Sequence, residues 1–474
     1  MVTFDLVVIG GGPGGYPAAI RAAQLGASVA MVEREELGGT CLNWGCIPTK
    51  LFIDAAKLCH SVRKAEFMGI SAGGLTIDFQ TLAAHKDKTV ARMRSAIGSL
   101  LKANGVKVFQ GTAAFQGPDQ IVVATPGTET SELGAGRIIL ATGSTSIMPA
   151  AFPVNERILE SRAFLALRQL PKSLLVVGGG YIGCELACMA AQLGVQVTLV
   201  ELLADILPGL DADVRKEVRR AMESQLGIRI LTGQPLREVQ PAANEVSALC
   251  GDQKIQAELL LVAVGRKPVT HGLAMEKAGI QPDARGFIQV NEFGQTEVPN
   301  IYAIGDVNGR AQLAHAATSQ GLVAASHALG NASEANELVV PGVIFTSPEV
   351  GVVGLSETEA QGRGIPVKVG RFPFAGLGRS IAAGNTVGMA KWIACATTDR
   401  LLGAAVVGPS ATELIAEAAV AIRGQLKVRE VANTIHAHPT FSEIWSEAGH
   451  AVHGEAIHAA PMKKNIARAL VSGQ

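Results

Sequence analysis

Cys41 and Cys46 sit five residues apart in the run Gly38-Gly39-Thr40-Cys41-Leu42-Asn43-Trp44-Gly45-Cys46-Ile47-Pro48-Thr49-Lys50. A regular helix would separate such positions by about 7.5 Å along its axis, beyond the usual Cα separation of a disulfide. One cysteine must therefore leave the helix if the two are to bond, and Gly45 and Pro48 permit that distortion. A constrained, accessible bridge of this kind is readily reduced and re-formed. Two free buried thiols are the alternative reading, which the flanking glycines disfavour. Near the other end, His436-Ala437-His438-Pro439-Thr440-Phe441-Ser442-Glu443 brings imidazole and carboxylate into one short segment. Dithiol oxidation needs a base, because only a thiolate attacks a disulfide; imidazole accepts that proton near neutrality and a carboxylate fixes its tautomer. Taken alone, a His-x-His in a loop is more often structural.

The elements around these residues are built for dinucleotides. Phe4 to Ile9 is a short apolar strand pattern followed by Gly10, Gly12 and Gly15, a helical stretch from Ala18 to Leu25, a stop at Gly26, and a second strand, Ser28 to Val32, ending in Glu33. Pro17 falls in the first helical turn, where its missing N–H matters little. The pattern returns as Leu174 to Val177, then Gly178, Gly180 and Gly183, a helix to Leu193, a break at Gly194, and a strand from Gln196 to Val200 ending in Glu201. With 54 glycines in 474 residues, the triplet is expected about 0.7 times by chance. Two copies in the same strand, turn, helix and strand order, each with its acid 23 residues after the first glycine, predict two dinucleotide sites with the acid on a ribose hydroxyl. Without the glycines, Glu33 and Glu201 would read as solvated strand-end acids.

Three further strand patterns close on glycine turns: Ile138 to Gly143, Leu259 to Gly265 and Ile301 to Asp306. Asp306 could hydrogen-bond a polyol, although an isolated loop Asp is commonly a turn residue. Residues 331–340 read as a polar linker into a third domain, which contains an alanine-rich helix around Glu413 to Ala421.

Lys plus Arg and Asp plus Glu both number 41, so there is no basic field to hold nucleic acid or an acidic membrane. Hydrophobic residues at 48% against 17% charged, with a mean hydropathy of +0.28, exclude a largely disordered chain. No run of about 18 uninterrupted apolar residues predicts a membrane span, and no basic region precedes the first strand as in a signal peptide. The expectation is a cytoplasmic protein. Seven cysteines, odd in number and unevenly spaced, do not resemble a secreted disulfide framework, so any disulfide is expected to be redox-active. Cys184 and Cys188 read as packing residues, Cys59, Cys250 and Cys395 are isolated, and no zinc-ligand spacing predicts a metal site.

The segments GGGPGGY, LGGTCLNWGCIPTK, ILATGS, VVGGGYIGCELA, AVGRKP, YAIGDV, LAHAA, TSPEVGVVGL and HAHPTFSE, in this order over essentially the whole chain, resemble the dihydrolipoamide dehydrogenase family. The resemblance implies an α/β fold with two Rossmann-like dinucleotide-binding domains and an α+β C-terminal dimerisation domain. It places an FAD-binding domain at 1–149 and 271–340, an NAD-binding domain at 150–270, and the dimerisation domain at 341–474. The implied reaction is oxidation of protein-bound dihydrolipoyl groups with reduction of NAD⁺ through a Cys41–Cys46 disulfide. Cys41 would exchange with substrate, Cys46 would contact the flavin, and His438, oriented by Glu443, would be the base, supplied across a homodimer. Gly10, Gly12, Pro13 and Gly15 would hold the FAD pyrophosphate, Glu33 its ribose and Asp306 its ribityl chain, with Lys50 beside the flavin. Gly39, Thr40, Ala113, Thr142, Gly143, Ser144, Leu313, Ala314 and His315 fall at other FAD-contacting positions. Gly178, Gly180, Tyr181, Ile182, Gly183 and Glu201 would bind NAD, with Glu185 near the nicotinamide and Gly265 bordering the site. The implied partner is a lipoyl carrier: the acyltransferase of a 2-oxo acid dehydrogenase complex, the H protein of glycine cleavage, or another.

Trp44 stands where a smaller aliphatic residue is common in this family, Phe345 where Tyr is common, and Ala375 to Thr386 matches poorly; these bear on disulfide access, redox poise and surface recognition. Glutathione reductase-like and mercuric reductase-like enzymes share the cysteine motif. The acid Glu201, followed by Leu202, Leu203 and Ala204, would repel an NADP 2′-phosphate, and the final NIARALVSGQ lacks the paired cysteines of mercury handling. A non-catalytic flavin-binding scaffold is the reading from a different class, and Cys41, Cys46, His438 and Glu443 all speak against it.

Overall fold

The computed structural model describes residues 1–127, 129–331 and 339–459. Most of the expected linker at 331–340, and the tail from residue 460, lie outside the described residues. By its internal packing the chain divides into two units: the first runs from Met1 to Pro208 and resumes at Leu226, and the second takes Gly209–Gln225 together with the C-terminal part.

In the first unit β1 (Val2–Ile9) buries Leu6, Val7, Val8 and Ile9 completely or nearly so. The continuous apolar run follows from its central place, with parallel strands on both sides, Leu6 and Val8 packed among helix residues such as Ala18, Ala22 and Ala324, and Val7 and Ile9 among strand residues Phe115, Ile121 and Val123. The chain continues through α1 (Gly15–Gln24), β2 (Val29–Glu33), α2 (Gly39–Trp44), α3 (Cys46–Lys64), α4 (Phe79–Ala103), β3 (Lys107–Gln110), β4 (Thr112–Gly117), β5 (Gln120–Ala124) and β6 (Ser131–Leu140). The sheet order is β3-β2-β1-β6-β5-β4. The sequence suggested a strand only from Ile138, but β6 has ten residues. Its first half pairs antiparallel with β5, and its last residues pair parallel with a strand at Ile301–Ala303.

The second parallel sheet repeats this plan. After β7 (Ser144–Ser146), β8 (Ile158–Glu160) and α5 (Ser161–Leu165) come β9 (Ser173–Val177), α6 (Tyr181–Gln192) and β10 (Gln196–Glu201). The chain then contributes α7 (Ala212–Ser224) to the second unit and returns through β11 (Arg229–Thr232), β12 (Leu236–Pro241), β13 (Val246–Cys250), β14 (Gln253–Ala257), β15 (Leu259–Val262) and β16 (Arg266–Pro268). Strands β11-β10-β9-β15-β8 form a wholly parallel five-stranded sheet, and β12-β13-β14 a separate antiparallel one. The strand Ile301–Ala303 (β17) and α8 (Ala314–Ala328) complete the unit. Helices α1 and α8 cross at glycine, since a Cβ on Gly321 would overlap the Gly14 carbonyl.

The second unit contains β18 (Gly342–Ile344), β19 (Glu349–Gly354), α9 (Glu357–Gly362), β20 (Val367–Pro373), α10 (Gly378–Ala382), β21 (Met389–Cys395), β22 (Leu401–Gly408), α11 (Ala411–Arg423), α12 (Val428–Ala432) and α13 (Glu443–Val452). Its sheet, β18-β19-β22-β21-β20, is antiparallel throughout. Trp392 and Trp445 are fully buried with ring centroids 4.6 Å apart. Their indole N–H groups donate to Trp445 O and Leu414 O, each at 3.0 Å, which fixes α13 against the sheet.

Residues 209–225 lie inside the 150–270 segment, yet they pack with the second unit. Lys391, with no exposed surface, donates to Asp211 (2.7 Å), Asp213 (2.8 Å) and Glu357 (3.1 Å), and Arg371 pairs with Asp213 and Glu357. A buried ammonium needs such partners. They come from α9 and from the start of α7, so α7 is bound where Lys391 lies. The three carboxylates are close enough together to hold a cation, and the ammonium of Lys391 sits among them. Among the described residues no helix is long and apolar enough to cross a membrane.

Candidate functional site

The two glycine turns are geometric copies. Gly10 and Gly178 both adopt φ +105°, the left-handed region that favours glycine, and a Cβ on either would overlap a carbonyl, of Ala141 or of Ala263. A Cβ on Gly15 or Gly183 would overlap the carbonyl of Gly10 or Gly178, so these residues let helix approach strand. The middle glycines differ: a Cβ on Gly12 would meet nothing closer than 3.9 Å, and one on Gly180 nothing within 4 Å. No protein atom requires glycine there, which fits a turn kept clear for a pyrophosphate lying against the backbone. Pro13 stands within the first turn; Tyr181 and Ile182 are exposed at the first turn of α6.

Glu33 and Glu201 are each 8% exposed, which excludes the solvated strand-end alternative. Glu33 accepts from Gly11 N (2.6 Å) and Glu35 N (2.7 Å); Glu201 accepts from Gly179 N (2.6 Å) and Leu203 N (2.8 Å). Each carboxylate thus braces its own glycine turn and retains lone pairs for a ribose hydroxyl.

The redox segment lies directly against the first turn. Gly38 N donates to Gly11 O at 2.8 Å, and a Cβ on Gly39 would come within 2.8 Å of Gly12 Cα. Thr40 and Cys41 lie in α2, and Cys46 is the first residue of α3. Gly45 breaks the helix between them at φ −135°, ψ −112°, and a Cβ there would lie 2.8 Å from Thr40 O. The break is where the spacing requires it. Pro48 is buried in the first turn of α3.

Both cysteines are thiols in this structure and hydrogen-bond each other. Cys46 is exposed, yet enough protein surrounds it for desolvation to oppose its ionisation, as on the floor of an open cleft. The Cys41 hydrogen bond outweighs that desolvation, and with the positive charge of Lys50 it brings the Cys46 thiol down to about 7 against an opposing push from Glu185. The uncapped N-terminus of α3 acts in the same direction. Cys41 moves up, because it donates to Cys46, is partly desolvated and faces the neighbouring negative charge. Lys50 Nζ lies 2.8 Å from Glu185 Oε2, a carboxylate buried in α6. The helix that begins at Cys46 and α6 are thereby joined.

A second cluster contains residues the sequence showed only in part. Asp306 accepts from Ser144 Oγ, and Arg266 donates to Ser144 Oγ and Ser144 O, both at 2.7 Å, while lying 3.9 Å from Asp306. Thr142 Oγ1 donates to Val269 O at 2.7 Å, and Gly143 and Gly265 take φ +70° and +132° beside the β7–β16 ribbon. Buried Gln320 of α8 accepts from Gly305 N (2.7 Å) and Asn308 Nδ2 (3.0 Å), fixing the turn that carries Asp306. Arg266 stood inside a recognised motif but had no assigned role, and Gln320 gave no local signal. Ala113 is buried in β4. Leu313 occupies the N-cap of α8 without a capping side chain, followed by Ala314 and the exposed His315.

In the second unit the two histidines separate. His436 is enclosed: its Nε2 meets Glu417 Oε1 and its Nδ1 meets Thr434 O, both at 2.8 Å. His438 is 76% exposed, its Nδ1 lies 2.8 Å from Glu443 Oε1, and Nε2 has no hydrogen bond among the described residues. Glu443 is the first residue of α13 and also accepts from Thr440 N at 2.9 Å. Partial desolvation would raise this carboxyl, but the His438 hydrogen bond and the Thr440 N–H hold it below its ordinary value. Held in this way, a neutral His438 presents Nε2 as a proton acceptor.

Residues 4–321 match the family model described as pyridine nucleotide-disulphide oxidoreductase, and residues 340–449 match the dimerisation domain of the same family. The chain belongs to the pyridine nucleotide-disulphide oxidoreductase family. Within this family it is 44% identical over 97% of its length to the dihydrolipoyl dehydrogenase of Thermus scotoductus, covering 99% of that protein. It is 38% identical to that of Bacillus subtilis, with 96% and 97% of the two chains covered. Among solved structures, LpdA from Mycobacterium tuberculosis superposes with a TM-score of 0.88 at 30% identity, covering 95% of this chain and 99% of that one. The HOCl-induced flavoprotein disulfide reductase RclA from Escherichia coli gives 0.85 at 27%, with 95% and 99% covered. As a member of this pyridine nucleotide-disulphide oxidoreductase family, the protein is a flavoenzyme that uses FAD and NAD. Its activity is of dihydrolipoyl dehydrogenase type, and its dimerisation domain makes it a homodimer.

Proposed function

We propose that the enzyme oxidises dihydrolipoyl groups carried on a lipoyl-bearing protein, with Cys41 and Cys46 as the exchanging pair and NAD⁺ as acceptor. The observation that carries this reading is the helix break at Gly45, with Cys41 in α2 on one side and Cys46 as the first residue of α3 on the other.

His438 Nε2 takes a proton from one dihydrolipoyl thiol, and Glu443 holds the opposite nitrogen. The substrate thiolate attacks Cys41 Sγ and the Cys41–Cys46 bond breaks, with Cys46 leaving as thiolate. Cys46 begins α3 and feels the positive charge of Lys50, so it is the better-stabilised leaving thiolate. Lys50 and the N-terminus of α3 stabilise the charge on Cys46. The second dihydrolipoyl thiol passes its proton to the Cys46 thiolate and attacks the substrate sulfur bonded to Cys41; Cys41 leaves and takes the proton held on His438, so lipoyl disulfide is released and Cys41 and Cys46 remain as a dithiol. FAD held by this chain would supply the two-electron acceptor for that dithiol, with NAD⁺ as the final hydride acceptor.

On this reading Gly10, Gly12, Pro13, Gly15 and Glu33 hold the FAD adenosine diphosphate, and Asp306 its ribityl chain. Gly39, Thr40, Ala113, Thr142, Gly143, Ser144, Leu313, Ala314 and His315 complete the FAD contacts. Gly178, Gly180, Tyr181, Ile182, Gly183, Glu201 and Gly265 form the NAD site. Lys50 and Glu185, already paired, serve the flavin and the nicotinamide. The proposed domains are 1–149 with 271–340 for FAD, 150–270 for NAD and 341–474 for dimerisation, in a cytoplasmic protein whose base is the partner subunit's His438.

The test is an anaerobic assay of the holoenzyme with dihydrolipoamide, glutathione, mercuric salts and Cu(II), each with NAD and NADP cofactors. Fast NAD⁺ reduction by dihydrolipoamide is expected, and Cys46→Ser should retain FAD but lose that turnover. An FAD-loaded protein inert to dihydrolipoamide would overturn the substrate. For the shared site, a verified heterodimer of one Cys46→Ser and one His438→Gln subunit should recover part of the activity; no recovery would refute it.

A further inference from the structure

The helix break that brings Cys46 close to Cys41 is held from outside the motif. Of the residues between the two cysteines, Asn43 is fixed by its own neighbourhood: its Nδ2 donates to Leu37 O (3.0 Å) and Gly39 O (2.9 Å), and its Oδ1 accepts from Arg94 Nε at 3.1 Å. Trp44, the last residue of α2, is held differently. The Arg162 guanidinium lies over its ring, 3.7 Å from the centroid. Arg162 belongs to α5, which follows the edge strand of the second sheet. Its Nη1 also lies 2.7 Å from Glu35 Oε2, and Glu35 N donates to Glu33. A chain of contacts thus runs from the acid bracing the first glycine turn, through Glu35 and Arg162, to the residue two before Cys46.

We infer that Arg162, stacked on Trp44 and paired with Glu35, is a positioning residue that sets the poise of the Cys41–Cys46 pair by holding the break at Gly45. Helices lie on both sides of Gly45. If Trp44 is released, α2 and α3 relax toward a continuous helix, in which i and i+5 are too far apart for a disulfide. The dithiol has no such distance requirement. Loss of the stack therefore shifts the equilibrium toward the dithiol. The ion pair is half exposed and contributes little; the exposed cation–π contact predicts a shift of about two- to fivefold. This rests on the reading of Cys41 and Cys46 as the redox pair.

The experiment equilibrates FAD-loaded homodimer anaerobically in lipoamide–dihydrolipoamide mixtures, traps thiols by alkylation and measures the Cys41/Cys46 dithiol fraction by peptide mass spectrometry. Arg162→Gln and Trp44→Val should each shift the midpoint two- to fivefold toward dithiol, and the double variant no further, because both remove one interaction. Arg162→Lys, which keeps the cation but loses the planar stack, should shift by less than Arg162→Gln. Glu35→Gln should shift it less, and Trp44→Phe should stay near wild type. An unchanged midpoint in Arg162→Gln, or additive shifts in the double variant, would overturn the inference. Should Arg162→Gln fail to fold, the Trp44→Phe and Trp44→Val pair decides, and identical midpoints overturn it. Failure of the underlying reading looks different: the wild type itself would then show no exchange between Cys41 and Cys46.

Discussion

Lys50 and Glu185 are 135 residues apart in the chain and form an ion pair of 2.8 Å, so the helix that begins with Cys46 is tied to the helix that follows the second glycine turn. The two charges act oppositely on one thiol: Lys50 lowers Cys46 and Glu185 raises it.

Replacing them should move the Cys46 titration in opposite directions. In Lys50→Met the thiolate absorbance of the reduced enzyme should appear at a pH higher by about one unit, and in Glu185→Gln at a lower pH, by less. Shifts in the same direction would show that the ion pair acts through structure and not through charge.

The glycine turns make a separable prediction. Gly180→Ala adds a Cβ that meets no protein atom within 4 Å, so Tm should hold while KM for NAD⁺ rises by roughly tenfold. Gly183→Ala would overlap the Gly178 carbonyl and should destabilise by about 1–3 kcal/mol. Thermal unfolding and steady-state kinetics on the same two variants check both halves.

Glu443→Gln should lower kcat on the order of 10²-fold with little change in KM for dihydrolipoamide, because His438 loses its orienting acceptor. Glu443 is held below its ordinary carboxyl value of 4.5. Its stabilising hydrogen bond is therefore fully present above that value and is lost only as the pH falls through the lower folded value. From pH 5 to 8 the His438–Glu443 geometry should not change, and imidazole NMR signals that moved with Glu443 titration inside that window would contradict this.

Lys391→Met should be strongly destabilising, by about 3–5 kcal/mol, since it leaves Asp213 and Glu357 with Arg371 alone and removes the ammonium from buried Asp211. Burial disfavours the Lys391 charge, but Asp211 and Asp213 more than compensate and raise its pKa. Denaturant unfolding should show the loss, and a well-packed variant that also replaces Asp211 and Asp213 with Asn should recover part of it.

The fold class and most of the site were legible because their signals are local. Strand, glycine turn, helix, strand and acid run from Phe4 to Glu33 in one half and from Leu174 to Glu201 in the other, and the left-handed turns at Gly10 and Gly178 demand glycine. The need for a break between Cys41 and Cys46 followed from helix geometry alone, and Gly45 supplies it. The choice between His436 and His438 did not follow in this way. It depends on Glu417, 19 residues away in sequence, enclosing one ring and leaving the other exposed.

What the amino-acid order determined was therefore which turns, helices and strands form, and which residue types stand at their ends. Tertiary structure decided what those ends meet: Lys50 with Glu185, Ser144 with Asp306 and Arg266, Gln320 beneath the Asp306 turn, Arg162 over Trp44, and α7 with Lys391 in the second unit. Backbone periodicity and turn chemistry act over a few residues and leave a pattern in the sequence. A contact between side chains a hundred residues apart leaves none, because it exists only once both sheets have folded and brought their loops together.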